Sequence, residues 1–430
     1  MSSIKKVPIQ YLPRPRELVN QLLKSGEDFA ILLESGPGFP ERSRYTIVAW
    51  GVSRHLVVDW DDDLYGELKE LTGGLGKFEN GDIALGYLSY EAVIHIEPYL
   101  RNYVKRPQWP IAEFFIPSNV VIYDNLLGRG YVKGELPNKD AVDVGNFEVI
   151  DKIEGTRRED FVRWVENSLE DIRNGEVFQI VLSRYEDYSV RGDVMNLYTR
   201  LADLNPSPYM YIAKFSDKYI VGTSPELLVK IDGDRVETHP IAGTRPRGKD
   251  PLEDLRLEEE LISSIKDRAE HVMLVDLARN DIGRVCRFGT VRVKELYAIE
   301  KYQSVQHLVS RVEGILERGN DAVDALFATF PAGTVSGAPK PRAMELIAKY
   351  EDTARGPYAG VIGLLHGGGG EFAIMIRTLF LRGSIARIQA GAGIVYDSIP
   401  ELEFQETEHK LGSLKSAMGG DLGGASGYHR

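Results

Sequence analysis

Apolar residues in the first part of the chain come in short runs broken by turn residues: Phe29-Ala-Ile-Leu-Leu33, Tyr45-Thr-Ile-Val-Ala-Trp50, Ile83-Ala-Leu-Gly-Tyr87 and Val120-Val-Ile-Tyr123. Runs of this length with turn punctuation predict strands. The polar stretch Lys133-Gly-Glu-Leu-Pro-Asn-Lys-Asp-Ala141 interrupts the pattern and marks a boundary between an N-terminal lobe, 1–150, and a second lobe, 151–418, with a frayed tail at 419–430. The second lobe changes period. Phe161, Val165, Leu169 and Ile172 fall at helical spacing behind a capping box, Thr156-x-x-Glu159, with a stop at Asn174-Gly175. A strand at 177–182 follows, then strands at 219–222, 290–297, 359–365, 372–381 and 385–395, and helices near 253–278, 321–329, 340–350 and 400–417. Gly367–Gly370 reads as a turn. Several strands are continuous apolar runs, which implies cover on both faces. The hairpin-like spacing near 372–395 argues against strict βαβ alternation. The expected class is α+β, with large mixed or antiparallel sheets packed as a central sandwich inside outer helices.

Composition narrows the function classes. Hydrophobic content of 43% and charged content of 27% describe a folded chain. No apolar run approaches the length of a membrane span, and Met1-Ser-Ser-Ile-Lys-Lys-Val7 has no apolar signal core, so a cytoplasmic location is expected. The single cysteine, Cys286 beside Val285, excludes an internal disulfide and reads as a buried structural thiol. A formal net charge of −12 without a basic stretch disfavours nucleic-acid binding. An anion would need a local cationic pocket.

Three groups of residues carry candidate chemistry. Glu403, Glu406 and Lys410 are spaced i, i+3, i+7 on one helix face; alone that is an ordinary solvated stripe, but Glu270 and the glycine strand Gln389-Ala-Gly-Ala-Gly-Ile-Val395 add oxygen ligands and backbone amides that suit Mg²⁺ and a carboxylate substrate. Arg377, inside the apolar run Phe372–Phe380, is costly unless it is in an internal ion pair or bound to an anion. Gly243-Thr-Arg-Pro-Arg-Gly248 is either a turn or a carboxylate-binding loop. His307, in an expected strand, is by default a packed core histidine.

As a set these motifs resemble the chorismate-utilising enzymes, most closely the large synthase subunits of anthranilate synthases. Gly175-Glu-Val-Phe-Gln-Ile-Val-Leu-Ser183, Ser224-Pro-Glu226, Pro240-Ile-Ala-Gly-Thr-Arg245, His271–Asp281, Ser336-Gly-Ala-Pro-Lys340 and the glycine strand carry the resemblance over nearly the whole chain. Relatives that hydrate chorismate carry a lysine base where this chain has Gln179, and many aminodeoxychorismate synthases a nucleophilic lysine where it has Ala242. The resemblance therefore implies amination by ammonia and loss of pyruvate. It implies Mg²⁺ on Glu270 and Glu406 with Glu403 close by. Tyr358, Arg377 and the backbone of Gly391, Ala392 and Gly393 would hold the enolpyruvyl carboxylate, and Gly243 and Thr244, with Lys410, would meet the ring. His307 would be the general acid, and Glu226 sits where a relative has its acid.

Leu32-Leu-Glu-Ser35 and Asn205-Pro-Ser-Pro-Tyr-Met210 resemble the two halves of the family's tryptophan inhibitor pocket, with Ser35, Pro208, Tyr209 and Met210 as contacts. Ammonia is expected from a separate glutamine amidotransferase subunit. Two alternatives stand beside this reading: an aminodeoxychorismate synthase component, and a non-catalytic tryptophan-sensing or scaffold protein.

Overall fold

The computed structural model describes residues 4–36, 44–137, 142–303 and 305–419; the expected tail from 420 on lies outside them. Every strand pairing among the described residues is antiparallel, which narrows the expected mixed or antiparallel sheets to the second kind. The α+β class holds.

Strands and helices fall close to the expected places, with physically instructive differences. Strand Tyr45–Val58 and its partner Ala112–Asp124 run past the apolar stretches that announce them, because an exposed bulged middle continues the ladder. Helix Arg158–Arg173 buries Phe161, Val165, Leu169 and Ile172, but it has no side-chain cap; Thr156 instead accepts the Tyr185 N–H across to the neighbouring strand. The single helix expected at 253–278 is two, Pro251–Ser263 and Ile265–Gly283, divided at Ser264, whose extended backbone and hydroxyl cap the second. Only Gly367 and Gly368 form a turn; Gly369 and Gly370 open strand Gly369–Ile374. The segment 241–246 is a strand with a bulge between Ala242 and Thr244, not a loop.

The division at residue 150 does not hold. It falls inside strand Phe147–Gly155, which pairs with Gln179–Gly192. Strand Phe29–Glu34 pairs with Tyr209–Phe215, and Ile83–Leu88 pairs with Val361–His366, so the first segment completes sheets begun by the second. Both apolar cores mix the segments: one packs Ile31, Phe115 and Tyr87 with Phe215, Phe372 and Ile394, the other packs Leu22 and Trp50 with Leu197, Ile388 and Leu414.

Candidate active site

The glycine strand, Ile385–Ile394, forms the floor of the site. It lies against Gln179–Gly192 in register Gly391↔Ser183, Ala392↔Leu182 and Gly393↔Val181. On its other edge, strand Thr378–Arg382 pairs only as far as Ile388, so the edge is open beyond. Ser183 gives its N–H to Glu351, Val181 gives its carbonyl to Arg355, and Gly391 gives its carbonyl to Lys410 at 2.9 Å. By the alternation of an antiparallel ladder, Gly391 and Gly393 turn their backbone groups outward while Ala392 turns its own toward Leu182. The expected anion contact from the Ala392 backbone is therefore corrected: the outward amides belong to the glycines. Both must be glycine, because a Cβ on Gly391 would sit 2.9 Å from the Tyr358 hydroxyl and one on Gly393 2.6 Å from the Gln179 amide nitrogen.

Carboxylates stand over this floor. Glu270, on helix Ile265–Gly283, accepts the Gln179 amide at 3.1 Å. Burial, then the charges of Asp267 and Glu406, push its carboxyl above the usual range against the Gln179 bond. Glu403 is raised in the same way, by burial and then by Glu406, against a hydrogen bond from Ser398. Helix Pro400–Ala417 carries Glu403, Glu406 and Lys410 as the spacing requires, and Lys410 bridges Glu406 at 2.6 Å and the Gly391 carbonyl. Among the described residues no group of three His, Cys, Asp or Glu side chains forms a ready-made metal cluster. The arrangement is a pair, Glu270 and Glu406, with Glu403 in their field. Lys266, which sequence reasoning passed over, lowers both Glu270 and Glu403 by its charge.

On the other flank of helix Ile265–Gly283, Thr244 and His307 are a cross-strand pair. The His307 Nδ1 lies 2.9 Å from Thr244 Oγ1 and 3.3 Å from the Gly243 carbonyl, and the ring packs edge-on against Tyr302 at 5.2 Å. Gly243 has φ +71°, and a Cβ there would come within 3.3 Å of Asp267 on the helix. Tyr302 also reaches the Pro225 carbonyl at 3.4 Å, which ties His307 to the turn carrying Glu226; the buried Glu226 accepts the Thr334 hydroxyl at 2.8 Å. Ala242 is buried beside this strand and has no nucleophilic atom.

Arg377 is not inside a strand. The apolar run divides at Met375–Arg377, where the chain leaves strand Gly369–Ile374 for Thr378–Arg382, and Arg377 takes φ +50° there with its carbonyl accepting the Thr223 N–H at 3.2 Å. A non-glycine residue held in that region stores strain of about 1–3 kcal/mol, which fits a position constrained for function. Cys286 is buried, with its thiol pushed up to about 11 by burial.

A second concavity, a cavity of about 560 Å³, brings together the two half-motifs: Leu33 and Glu34 on one wall, Pro208, Tyr209 and Met210 on another, and Ile362 on a third. Ser35 stands at its edge and donates its hydroxyl to the Pro208 carbonyl.

Comparison with known proteins gives the family. Residues 29–416 match the chorismate binding enzyme family. The chain is 50% identical over 422 residues, 97% of its length and 96% of the relative's, to anthranilate synthase component 1 of Aeropyrum pernix. It is also 50% identical to anthranilate synthase component 1 of Saccharolobus solfataricus, over 91% of this chain and 94% of that one. A crystal structure of anthranilate synthase component I from Streptococcus pneumoniae TIGR4 superposes with a TM-score of 0.76 at 33% identity, covering 90% and 93% of the two chains. The menaquinone-specific isochorismate synthase of Escherichia coli shares the fold, with a TM-score of 0.78 at 18% identity. An open glycine edge under a carboxylate pair, on a chain matched almost end to end, makes this protein a member of the chorismate binding enzymes.

Proposed function

We infer that the chain converts chorismate and ammonia to anthranilate and pyruvate, as the synthase component of an anthranilate synthase. The observation that carries this choice of reaction is the pair Gln179 and Ala242: the first is engaged with Glu270 and the second is an alkyl group, so the chain offers neither a hydrating base nor a covalent nucleophile at these positions.

Mg²⁺ is the fitting ion. Glu270 and Glu406 present oxygen donors only, they are held close enough to raise Glu270 by repulsion, and two carboxylates leave room for a substrate carboxylate and waters. When bound, Mg²⁺ supplies neutralisation of the ring carboxylate and withdraws electron density from the conjugated ring. Lys410, held between Glu406 and the Gly391 carbonyl, sets the spacing of that helix above the floor. Tyr358, whose hydroxyl accepts from the Gly391 backbone, Arg377 and the outward amide of Gly393 receive the enolpyruvyl carboxylate. Thr244 and the Gly243 carbonyl hold the His307 ring by Nδ1, so a proton delivered to the departing C4 hydroxyl leaves from Nε2. Glu226, held by the Thr334 hydroxyl, is joined to that ring through Pro225 and Tyr302.

The 560 Å³ cavity is the tryptophan inhibitor pocket in this reading, with Ser35, Pro208, Tyr209 and Met210 as its contacts. Ammonia comes from a partner glutaminase, in keeping with the name component 1 carried by the relatives. The test is to incubate the purified chain with chorismate, Mg²⁺ and ammonium at high pH and follow anthranilate fluorescence; aminodeoxychorismate or isochorismate as the product would overturn the reading.

A further inference from the structure

Arg184 is almost wholly buried, at 2% exposure, and lies two residues beyond Leu182, the partner of Ala392. Burying a guanidinium is costly unless its donors are satisfied. Here two of the three donor nitrogens and the flat face are used on one helix, and the third nitrogen on Glu186 of its own strand. Nε donates to the Thr407 hydroxyl at 2.6 Å, one terminal nitrogen donates to Glu408, the other to Glu186 at 2.8 Å, and the guanidinium stacks 4.7 Å from the Phe404 ring centroid. Phe404, Thr407 and Glu408 are spaced i, i+3, i+4 and form one stripe of helix Pro400–Ala417. Glu403, Glu406 and Lys410 occupy the stripe about 100° away on the same helix. The anchor has partners of its own: Glu186 accepts from Arg184 and the Tyr188 hydroxyl and bridges Lys415 at 3.1 Å, and against burial these partners hold its carboxyl down to about 2.

From this geometry we infer that Arg184 is a positioning residue for the carboxylate pair, gripping the last helix by Phe404, Thr407 and Glu408 so that Glu406 and Lys410 meet Glu270 and Gly391. The inference rests on the Mg²⁺ reading above. Arg184 sits on the strand that also carries Gln179, the partner of Glu270. One strand therefore orients both halves of the pair, Glu270 from one end and Glu406 through the guanidinium. A rotation of the helix by a fraction of a turn would move the Glu406 carboxylate by more than the tolerance of Mg²⁺ for its octahedral distances.

The experiment measures Mn²⁺ binding to the full-length protein without substrate, by the electron paramagnetic resonance signal of free Mn²⁺, alongside the Mg²⁺ dependence of turnover. Arg184→Lys keeps the charge but loses the fork. Thr407→Val removes the hydroxyl that accepts from Arg184 Nε and donates to the Phe404 carbonyl within the helix, keeps the shape and is the variant that decides the matter if Arg184→Lys does not fold. Thr407→Val is expected to weaken Mn²⁺ binding about five-fold and Arg184→Lys more, each raising the Mg²⁺ concentration for half-maximal activity with chorismate KM at saturating Mg²⁺ little changed. Leu68→Ala, a core truncation on helix Leu64–Gly73 in the first segment, should lower the thermal midpoint at least as much without altering Mn²⁺ affinity. Folded Thr407→Val with wild-type Mn²⁺ affinity would overturn the inference, as would Leu68→Ala weakening the ion equally. If Glu270→Gln and Glu406→Gln also leave Mn²⁺ binding intact, the metal reading itself has failed. If they abolish it while the Arg184 and Thr407 variants do not, only the positioning role falls.

Discussion

The proposed substrate site and the cavity proposed to bind tryptophan are built on different plans. Every residue assigned to the substrate site lies between Gln179 and Lys410, and its charges are left in tension: the half-buried Glu270 carboxyl is raised by burial and the charges of Asp267 and Glu406, and the half-buried Glu403 carboxyl by burial and Glu406. The cavity takes its walls from both segments, with Leu33 and Glu34 from one and Tyr209 and Met210 from the other. The substrate site takes its side chains from the second segment, on strands that the first segment completes, whereas the cavity takes its walls from both. The hairpin of strands Val361–His366 and Gly369–Ile374 joins them, since Ile362 and Ala373 line the cavity while Tyr358 and Arg377 flank the hairpin at the substrate end. A ligand that favours one arrangement shifts the other site by its differential affinity, so tryptophan and chorismate are expected to weaken each other's binding reciprocally.

The largest expected effect is at the carboxylate pair. Glu270→Gln or Glu406→Gln should lower turnover by on the order of 10³-fold or more, since each removes a charged ligand, while leaving tryptophan binding, measured by calorimetry, unchanged. Loss of tryptophan binding in either variant would mean that the two regions are not separable.

His307→Ala should slow the chemical step by an order of 10²–10⁴ with little change in chorismate affinity. Single-turnover kinetics distinguish the two quantities. Normal turnover with weakened binding would return His307 to a packing role beside Tyr302.

Tension in the site also has a stability signature. A carboxyl whose folded pKa is raised penalises the folded state at pH above that pKa, where it is ionised, and the penalty disappears below the unfolded value near 4.3. In metal-free protein at neutral pH, Glu270→Gln is therefore expected to raise the thermal midpoint while abolishing activity. As pH falls through the raised pKa, the wild-type protein should require more Mg²⁺ for half activation, by up to about ten-fold per pH unit. A Mg²⁺ requirement that does not rise as the pH is lowered toward the ordinary carboxylate range would contradict the assignment.

The smallest effect belongs to the cavity. Ser35→Ala removes the hydroxyl bridging to Pro208, costing about 1 kcal/mol, and should raise the tryptophan concentration for half inhibition roughly five-fold with uninhibited turnover unchanged. Unaltered inhibition would sever Ser35 from the pocket.

Much of this was legible in the chain because periodicity and motif spacing are local. The helix at 340–350 was placed to the residue, and the Glu403, Glu406, Lys410 face follows from 3.6 residues per turn. Non-local facts were not. Nothing within Phe372–Phe380 shows that its two halves pair with different strands and leave Arg377 at the switch. The outward turn of Gly391 and Gly393 depends on Ser183 and Val181 spending their backbone groups on Glu351 and Arg355, from another element. Arg184 lies two residues past the strand expected at 177–182, and nothing local shows that Thr407 and Glu408 lie beside it. The boundary at 150 was placed by composition, which is blind to strand exchange between segments.

That exchange has a consequence for how the chain is made. Strand Ile83–Leu88 leaves the ribosome about 270 residues before its partner Val361–His366, a wait of roughly 15–50 s at ordinary elongation rates. During it the strand can pair with Ala112–Asp124 on one side, but its other edge stays unpaired, and unpaired edges of this kind nucleate aggregation. The first segment cannot finish folding before the last quarter is translated, so slow translation, truncation after residue 350 or expression of either segment alone should each deliver insoluble chain, and holding chaperones should matter more for this protein than its final stability implies.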